Sequence, residues 1–315
     1  MLNRRHLRIK VLQALYAYFQ SDEDSFARTD KEMMSALDRI YELYLLLMLT
    51  FEELKTISEQ RMEESKGKMR PSKEDINPNL KFVNNKLFAL LEMSPELRYN
   101  AEKSKVNWVG DANREMFRKM FLQIKESEIY FSYMSETTQS FQEDVDFACA
   151  LFKSEIANSS ILYSFFEDRS IHWLDDIDLV CSMVLKTIKT AKEEEKLVLL
   201  PLFKDPEDEI PFVKTLLKKT ISRDKENLEL IDELTKNWEL DRIAKMDILL
   251  MKMAITELQE FNNIPVNVTL NEYIEISKFY STPKSNGFIN GILDKAIEKL
   301  MQENKIVKVG RGLIK

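Results

Sequence analysis

The chain has 315 residues, of which 44% are hydrophobic and 31% are charged, a balance typical of an ordinary soluble protein with room for one large domain or two smaller ones. Two cysteines and two histidines argue against a disulfide framework and against a zinc motif. Six glycines and eight prolines leave little material for hairpins, and apolar residues recur mostly every three or four positions. The sequence therefore predicts an all-α fold.

The apolar segments are short. The N-terminus is basic and lacks the apolar run of a signal peptide. The most apolar segment, residues 40–51, contains Glu42 and is too short to span a bilayer. We therefore expect a cytoplasmic location.

The formal net charge is −7, which by itself argues against nucleic-acid binding. The charges are nevertheless unevenly distributed. The first acidic residue is Asp22, and the tail after Glu303 contains cations and no acid. A local basic patch can bind phosphates although the whole chain is acidic. The cations at the two ends are Arg4, Arg5, Arg8 and Lys10, and Lys305, Lys308, Arg311 and Lys315.

Residues 4–20 predict the first helix. One face of this helix carries Arg5, His6, Gln13 and Tyr16, with Arg8 at its margin. Cations for phosphates, a ring for stacking and an amide for a base edge fit a single RNA strand. A solvated amphipathic helix with a basic start is the alternative. The opposite stripe, predicted as the core face, consists of Leu7, Val11, Ala14, Leu15 and Tyr18.

The middle of the chain predicts further helices. A polar break precedes a long helix over 31–66, and a proline-containing linker follows at 67–79. Short apolar segments follow at 80–93 and 97–109. Another long helix is predicted at 112–134, and further helices at 141–166 and 173–192. Aromatic residues in this part are predicted to lie in the core, among them Phe117, Phe121, Tyr130 and Phe131.

Residues 264–297 predict a helix, a short loop and a second helix. Gly287 and Gly291 bracket Phe288, Ile289 and Asn290 at the start of the second helix. Glycine destabilises a helix interior, so this pair predicts a close backbone approach or a positive φ. The tail after Asn304 is predicted to be frayed.

Two separated blocks of this sequence resemble the NusB family of bacterial transcription antitermination factors. The first block is RRHLR at residues 4–8, followed by QALY at residues 13–16. The second runs from about 208 to 300 and includes WELDRI at 238–243, Met246-Asp247, Ile264-Pro265-Val266, Asn271-Glu272 and FINGILDK at 288–295. Together the blocks cover a little over a third of the chain.

The resemblance implies an all-α fold of two small helical bundles and a non-enzymatic function. It implies binding to the boxA element of ribosomal RNA transcripts. The family binds this RNA as a heterodimer with NusE, a small-subunit ribosomal protein. The resulting antitermination complex helps RNA polymerase ignore terminators.

The resemblance also implies roles for individual residues. Phe288 matches an aromatic at the edge shared by RNA and NusE, with Asn290 beside it. Asp247 matches an acid that faces NusE, with Lys252 on the same helix. Lys284 replaces an acid of a well-known member, which either weakens partner binding or adds a phosphate contact. The implied RNA-binding residues are Arg4, Arg5, Arg8, Gln13, Tyr16, Lys284, Phe288 and Asn290, and the implied partner-binding residues are Asp247, Lys252 and Phe288.

Length is the main departure from the family. Residues 1–22 and 195–303 are predicted to form the NusB-like RNA-binding domain, residues 23–194 an inserted helical subdomain, and residues 304–315 a basic tail. The insertion could extend the RNA surface, recruit another partner or cover the face that NusE uses.

Other functions are considered from the same residues. The sequence has no glycine-rich phosphate loop, no Cys/His cluster and no nucleophile motif, so neither an enzyme nor a cofactor or metal site is predicted. NusB-like folds also occur in RNA cytosine methyltransferases, but nothing here resembles their cofactor domain. The alternative is a helical protein-interaction scaffold of NusB-like fold without RNA binding, which the acidic total charge and the insertion favour.

Overall fold

The computed structural model describes residues 1–21, 25–235 and 242–313. The protein is all-α, as predicted, and the described residues contain no β-strand. They form two compact units. We call Asp38–Leu202, grouped with Met1, the central unit, and Leu2–Leu37 with Phe203–Lys315 the terminal unit.

The terminal unit is built from both ends of the chain. The long helix α2 (Phe26–Lys66) begins in this unit and continues into the central unit. The other helices of the terminal unit are α1 (Arg4–Gln20), α12 (Pro206–Ser222), α13 (Asp224–Leu234), α14 (Lys245–Glu260), α15 (Val266–Tyr280) and α16 (Ser285–Gln302), followed by a 3-10 turn at Gly310–Leu313.

Helix α14 is the core helix of the terminal unit. It packs against α1, α12, α13, α15 and α16. Every residue from 249 to 258 is buried, so this helix is enclosed on all sides instead of having one apolar stripe. Any polar side chain on this stretch must therefore find its partner inside the unit.

The central unit consists of nine further helices and most of α2. Its core is rich in phenylalanine: the Phe51 ring centroid lies 5.5 Å from that of Phe88 and 6.0 Å from that of Phe152. The indole N–H of Trp108 donates to the Leu46 carbonyl at 2.9 Å. These helices are α3 (Lys73–Ile76), α4 (Lys86–Glu92), α5 (Pro95–Ser104), α6 (Asp111–Glu126), α7 (Glu128–Ser135), α8 (Phe141–Leu151, continued by a π-helical turn at Phe152–Ile156), α9 (Ser160–Arg169), α10 (Ile171–Leu174) and α11 (Ile177–Thr190).

The predicted helix bounds hold for α1 and for the end of α2 at Lys66, but the helix predicted over 112–134 is divided in the structure. Residues 112–134 do not form one helix, because Ser127 is extended and its hydroxyl caps α7 by accepting from the Tyr130 amide at 3.2 Å. This break turns Phe131 outward: its side chain is 72% exposed, so its predicted core position is wrong. Phe117, Phe121 and Tyr130 are buried, as predicted.

In the residues that the structure describes, no helix combines the length and the apolar character that crossing a bilayer requires.

We expect Phe51→Ala to lower the free energy of unfolding by about 3–5 kcal/mol, because it removes a fully buried ring and leaves a cavity. Urea denaturation measures the change. The matched control is Phe131→Ala, which removes an exposed ring and is expected to change stability by about 0.5 kcal/mol or less. Equal losses from the two variants would contradict this assignment of the core.

Candidate nucleic-acid interface

The arginines at the start of the chain are held on a well-capped helix. Asn3 is the N-cap of α1: its side-chain oxygen accepts from the His6 amide at 3.0 Å, and the His6 ring accepts from the Asn3 amide at 3.3 Å. This capping box fixes the first turn, in which Arg4 and Arg5 lie. The positive end of the helix dipole adds to their charge, which favours anions at this point.

Arg8 lies in the protein core and not at the margin of an exposed face, where the helical pattern placed it. Its side chain is 1% exposed, and its guanidinium donates twice to the Glu257 carboxylate, at 2.8 and 2.6 Å. The physical reason for the correction is that Glu257, on the enclosed helix α14, is itself fully buried and needs a cation. Arg8 is therefore unavailable to an RNA phosphate in this arrangement.

Two hydroxyl groups of α15 complete the environment of Glu257. Thr269 donates to this carboxylate at 2.9 Å and Tyr273 donates at 3.0 Å. Burial lowers the pKa of Arg8, but the charge and hydrogen bonds of Glu257, together with the nearby Tyr273 and Glu272, outweigh this effect and hold that pKa above its ordinary value. Burial and the same charge raise the pKa of Tyr273 well above its ordinary value. The cluster of Arg8, Glu257, Thr269 and Tyr273 thus links α1, α14 and α15.

Arg4 and Arg5 lie closer to the surface and also have acidic partners. Arg5 donates twice to Glu272 on α15, at 2.9 and 2.8 Å, and this ion pair raises the pKa of Arg5. Arg4 pairs with Asp208 on α12, and its guanidinium carbon lies 4.1 Å above the ring of Phe212. Both guanidinium groups border a groove.

We call this cavity of about 700 Å³ the arginine groove. It runs beside the first turns of α1, and a residue from the C-terminal tail, Arg311, also lines it. Its lining residues are Asn3, Arg4, Arg5, Arg8, Asp208, Asn263, Ile264, Pro265, Val268, Glu272 and Arg311.

Helices α1 and α15 run side by side in parallel. Arg5 contacts Glu272, and eight residues further along both helices Gln13 donates to the Tyr280 hydroxyl at 3.5 Å. Gln13 also accepts from Lys10 at 3.1 Å. The predicted base-reading amide therefore lies half-buried between the two helices, beyond the arginine groove.

Tyr16 lies at the other end of α1 from the arginines. It lines a second cavity of about 360 Å³ that we call the aromatic cavity, which Phe19, Lys245 and Lys252 also line. The Lys252 ammonium donates to Asp224 at 2.6 Å and lies 5.3 Å from the centre of the Phe19 ring. The structure thus brings Tyr16 and Lys252 together, although the family resemblance assigned them to different partners.

Asp247 lies beneath the loop formed by residues 281–284. Its side chain is largely buried, at 4% exposure, and accepts a hydrogen bond from the Ser281 hydroxyl. The Ser281 and Ser285 hydroxyl oxygens lie 3.0 Å apart, so that Ser281 can accept a hydrogen bond from Ser285. Lys284 is exposed on the same loop. The Asp247 carboxylate is therefore not itself exposed, and its hydrogen bond to Ser281 holds the start of the loop.

The first turns of α16 carry the remaining predicted residues. Phe288 is half-buried, and the Asn290 amide donates to Asp294 at 3.2 Å. Gly287 and Gly291 are exposed within the helix, and a Cβ added at either position would meet no atom within 4 Å. The predicted close approach or positive φ is therefore wrong, because neither glycine has such a requirement within this chain. The pair leaves a strip of bare helix backbone beside Phe288.

Sequence reasoning missed the acidic partners that organise the site. Asp208 pairs with Arg4, Glu257 with Arg8, and Glu272 with both Arg5 and Arg8, from positions more than 200 residues away in sequence. Glu272 belongs to the Asn271-Glu272 motif of the family resemblance, and that motif was the one sequence signal that it could be part of the site. Residues 238–241 of the WELDRI motif lie outside the described residues.

We expect Arg8→Ala to lower the free energy of unfolding by about 3–5 kcal/mol, because it leaves the Glu257 carboxylate buried without its cation. Arg5→Ala is the matched control on the same helix and is expected to cost about 0–1 kcal/mol, since the Arg5 ion pair is partly exposed. Urea denaturation compares the two variants. A loss from Arg8→Ala no larger than that from Arg5→Ala would refute the structural role of the buried pair.

The sequence of this chain is similar to that of a known protein family. Residues 177–298 match the model of the NusB family, beginning within α11. Three curated relatives each carry the name transcription antitermination protein NusB. The relative from Salinibacter ruber is 42% identical over 118 residues, which span 38% of this chain and 73% of the relative.

The other two relatives match over smaller shares of their length. The protein from Natranaerobius thermophilus is 40% identical over 88 residues, covering 27% of this chain and 63% of the relative. The protein from Chloroherpeton thalassium is 39% identical over 115 residues, covering 35% of this chain and 54% of the relative. No solved structure matches the chain. The identity to the Salinibacter protein over most of its length shows that this chain belongs to the NusB family.

Proposed function

We propose that this protein is a transcription antitermination factor that binds boxA-type single-stranded RNA of ribosomal RNA transcripts together with NusE, within an RNA polymerase antitermination complex. The observation that carries the proposal is the 42% identity to a relative named transcription antitermination protein NusB, over 73% of that relative. The arrangement of cations and aromatic rings along α1 supports it.

The arginine groove is the proposed phosphate site. Arg4 and Arg5 are partly exposed at the start of α1, where the helix dipole also attracts anions. Their carboxylate partners Asp208 and Glu272 hold the guanidinium groups in place in the absence of RNA. We propose a different role for Arg8 from the one that the family resemblance implied: its buried ion pair with Glu257 holds α1 in place beside the groove.

The aromatic cavity is the proposed site for a base. Tyr16 lies about 18 Å along the helix from Arg4, from a rise of about 1.5 Å per residue. Tyr16 is 42% exposed, which leaves a face for stacking, and Lys245 supplies an exposed cation nearby. Gln13 lies between the two sites. A short single strand that follows α1 would place phosphates on the arginines and a base on Tyr16.

NusE is proposed to bind at the loop of residues 281–284 and the start of α16. Lys284 is exposed there, and Phe288 with the bare backbone at Gly287 and Gly291 offers a surface that a partner could approach closely. Asp247 contributes by holding the loop. Asn290 lies on the same helix, at the edge proposed to be shared by RNA and NusE.

We expect the double variant Arg4→Ala/Arg5→Ala to bind boxA-type RNA more weakly than the unmodified protein. Each lost arginine–phosphate contact should reduce the log–log salt slope by about 0.7. Fluorescence anisotropy with a labelled RNA at two salt concentrations measures both effects. The matched control is Arg28→Ala/Arg118→Ala, which removes two arginines from exposed ion pairs outside the groove.

Two results would contradict the RNA proposal. Unchanged affinity of the folded Arg4/Arg5 variant would place the RNA surface elsewhere. Absence of salt-sensitive RNA binding by the unmodified protein, with and without NusE, would reject the function and leave a protein-interaction scaffold.

We expect Phe288→Asp to weaken the complex with NusE and RNA at least tenfold, because a charge replaces an apolar contact at the proposed interface. Titration of NusE into the protein–RNA complex measures the change. The control is Phe131→Asp, at an exposed phenylalanine of the central unit. Equal NusE affinity for Phe288→Asp and for the control would reject this interface.

A further inference from the structure

Residues 305–313, which follow α16, are docked on the terminal unit and are not frayed as the sequence predicted. Asn304 turns the chain with a φ of 55°, and the Lys305 amide donates to the Leu300 carbonyl at 2.8 Å. The Val309 amide then donates to the Asn262 carbonyl at 3.0 Å, and the Lys308 ammonium to the Phe261 carbonyl at 3.0 Å. Residues 305–313, here called the C-terminal strap, therefore lie against the connection between α14 and α15.

Gly312 allows the end of the strap to lie close against the backbone of Asn262. It is buried, and a Cβ at this position would lie 2.0 Å from the Asn262 carbonyl oxygen, far inside van der Waals contact. A backbone oxygen cannot move aside as a flexible side chain can, so only glycine fits here. This close approach holds the neighbouring residue, Arg311, at the arginine groove.

Arg311 differs from the other arginines of the groove in its electrostatic environment. Arg4, Arg5 and Arg8 are matched by Asp208, Glu272 and Glu257 respectively. Among the described residues, no carboxylate lies within 4.0 Å of the Arg311 guanidinium, whose residue is exposed. Of the arginines that line the groove, Arg311 is thus the one whose charge is not neutralised by an ion pair within the described part of the chain.

We propose that the C-terminal strap is part of the RNA-binding site and that Arg311 binds a phosphate of the single-stranded RNA. The inference rests on the proposed function and adds to it a contact from the far end of the chain. A phosphate that binds Arg4 or Arg5 has to compete with a carboxylate already in place. A phosphate that binds Arg311 displaces no carboxylate of the described residues, so it can form a charge-assisted, bidentate contact directly.

Arg311→Ala tests the charge. Its removal leaves every remaining arginine of the groove paired, so we expect about a tenfold loss of RNA affinity at low salt and a salt slope reduced by about 0.7. Arg311→Lys should retain part of the affinity, because it keeps the charge and loses the bidentate geometry. Arg28→Ala is the control, since it removes an arginine of the same unit outside the groove.

Gly312→Ala tests the strap. It keeps Arg311 but displaces the segment that positions it, so we expect a loss of RNA affinity close to that of Arg311→Ala. The matched control is Gly67→Ala, because a Cβ at Gly67 would make ordinary contacts of 3.6 Å or more. Circular dichroism and urea denaturation establish that the variants are folded.

The outcomes separate this inference from the proposed function. Salt-sensitive RNA binding by the unmodified protein, lost in Arg4→Ala/Arg5→Ala but unchanged in Arg311→Ala and Gly312→Ala, would overturn the strap and leave the function standing. Losses in both strap variants with the two controls unaffected would support it. Absence of RNA binding by the unmodified protein would overturn the function and this inference together.

Discussion

The buried ion pair between Arg8 and Glu257 is the constraint on which the terminal unit depends. A carboxylate on a helix enclosed on all sides requires a cation and hydrogen-bond donors, and α1 and α15 supply them. The pair therefore fixes the position of α1 against α14 and α15. Arg4 and Arg5 precede Arg8 by four and three residues, which is about one helical turn, so their place at the groove follows from a contact in the core.

The same arrangement explains how an acidic chain can offer a site for an anion. The arginines of α1 are neutralised one by one by carboxylates, which keeps them ordered and limits their mutual repulsion. The groove's attraction for anions then depends on the helix dipole, on displacement of exposed carboxylates such as Asp208, and on the cation of the C-terminal strap. A net charge summed over the chain contains none of this information.

The terminal unit also separates its proposed functions in space. Because α1 and α15 run in parallel, the arginine groove lies at one end of α1, and the aromatic cavity with Tyr16 lies at the other. The loop of residues 281–284 follows directly from the end of α15 and is held by Asp247. The central unit has its own aromatic core around Phe51 and Phe88, so it is a folded body in its own right and not an extended connection.

The sequence by itself determined the all-α class, the bounds of α1 and the family. Periodicity and motif spacing are local properties of the sequence, and they can be recognised without knowledge of the tertiary contacts. The sequence also identified which ends of the chain are basic. Only the tertiary structure decided that Arg8 is internal, since a helical pattern counts a cation as exposed and its carboxylate lies 249 residues away. Likewise, the outward position of Phe131 depended on one capping serine, and the docking of the strap depended on a carbonyl of Asn262 that only Gly312 can approach. Local pattern determines which residues are helical and apolar, whereas the pairing of buried charges and the close approach of backbones depend on segments that meet only in the folded chain.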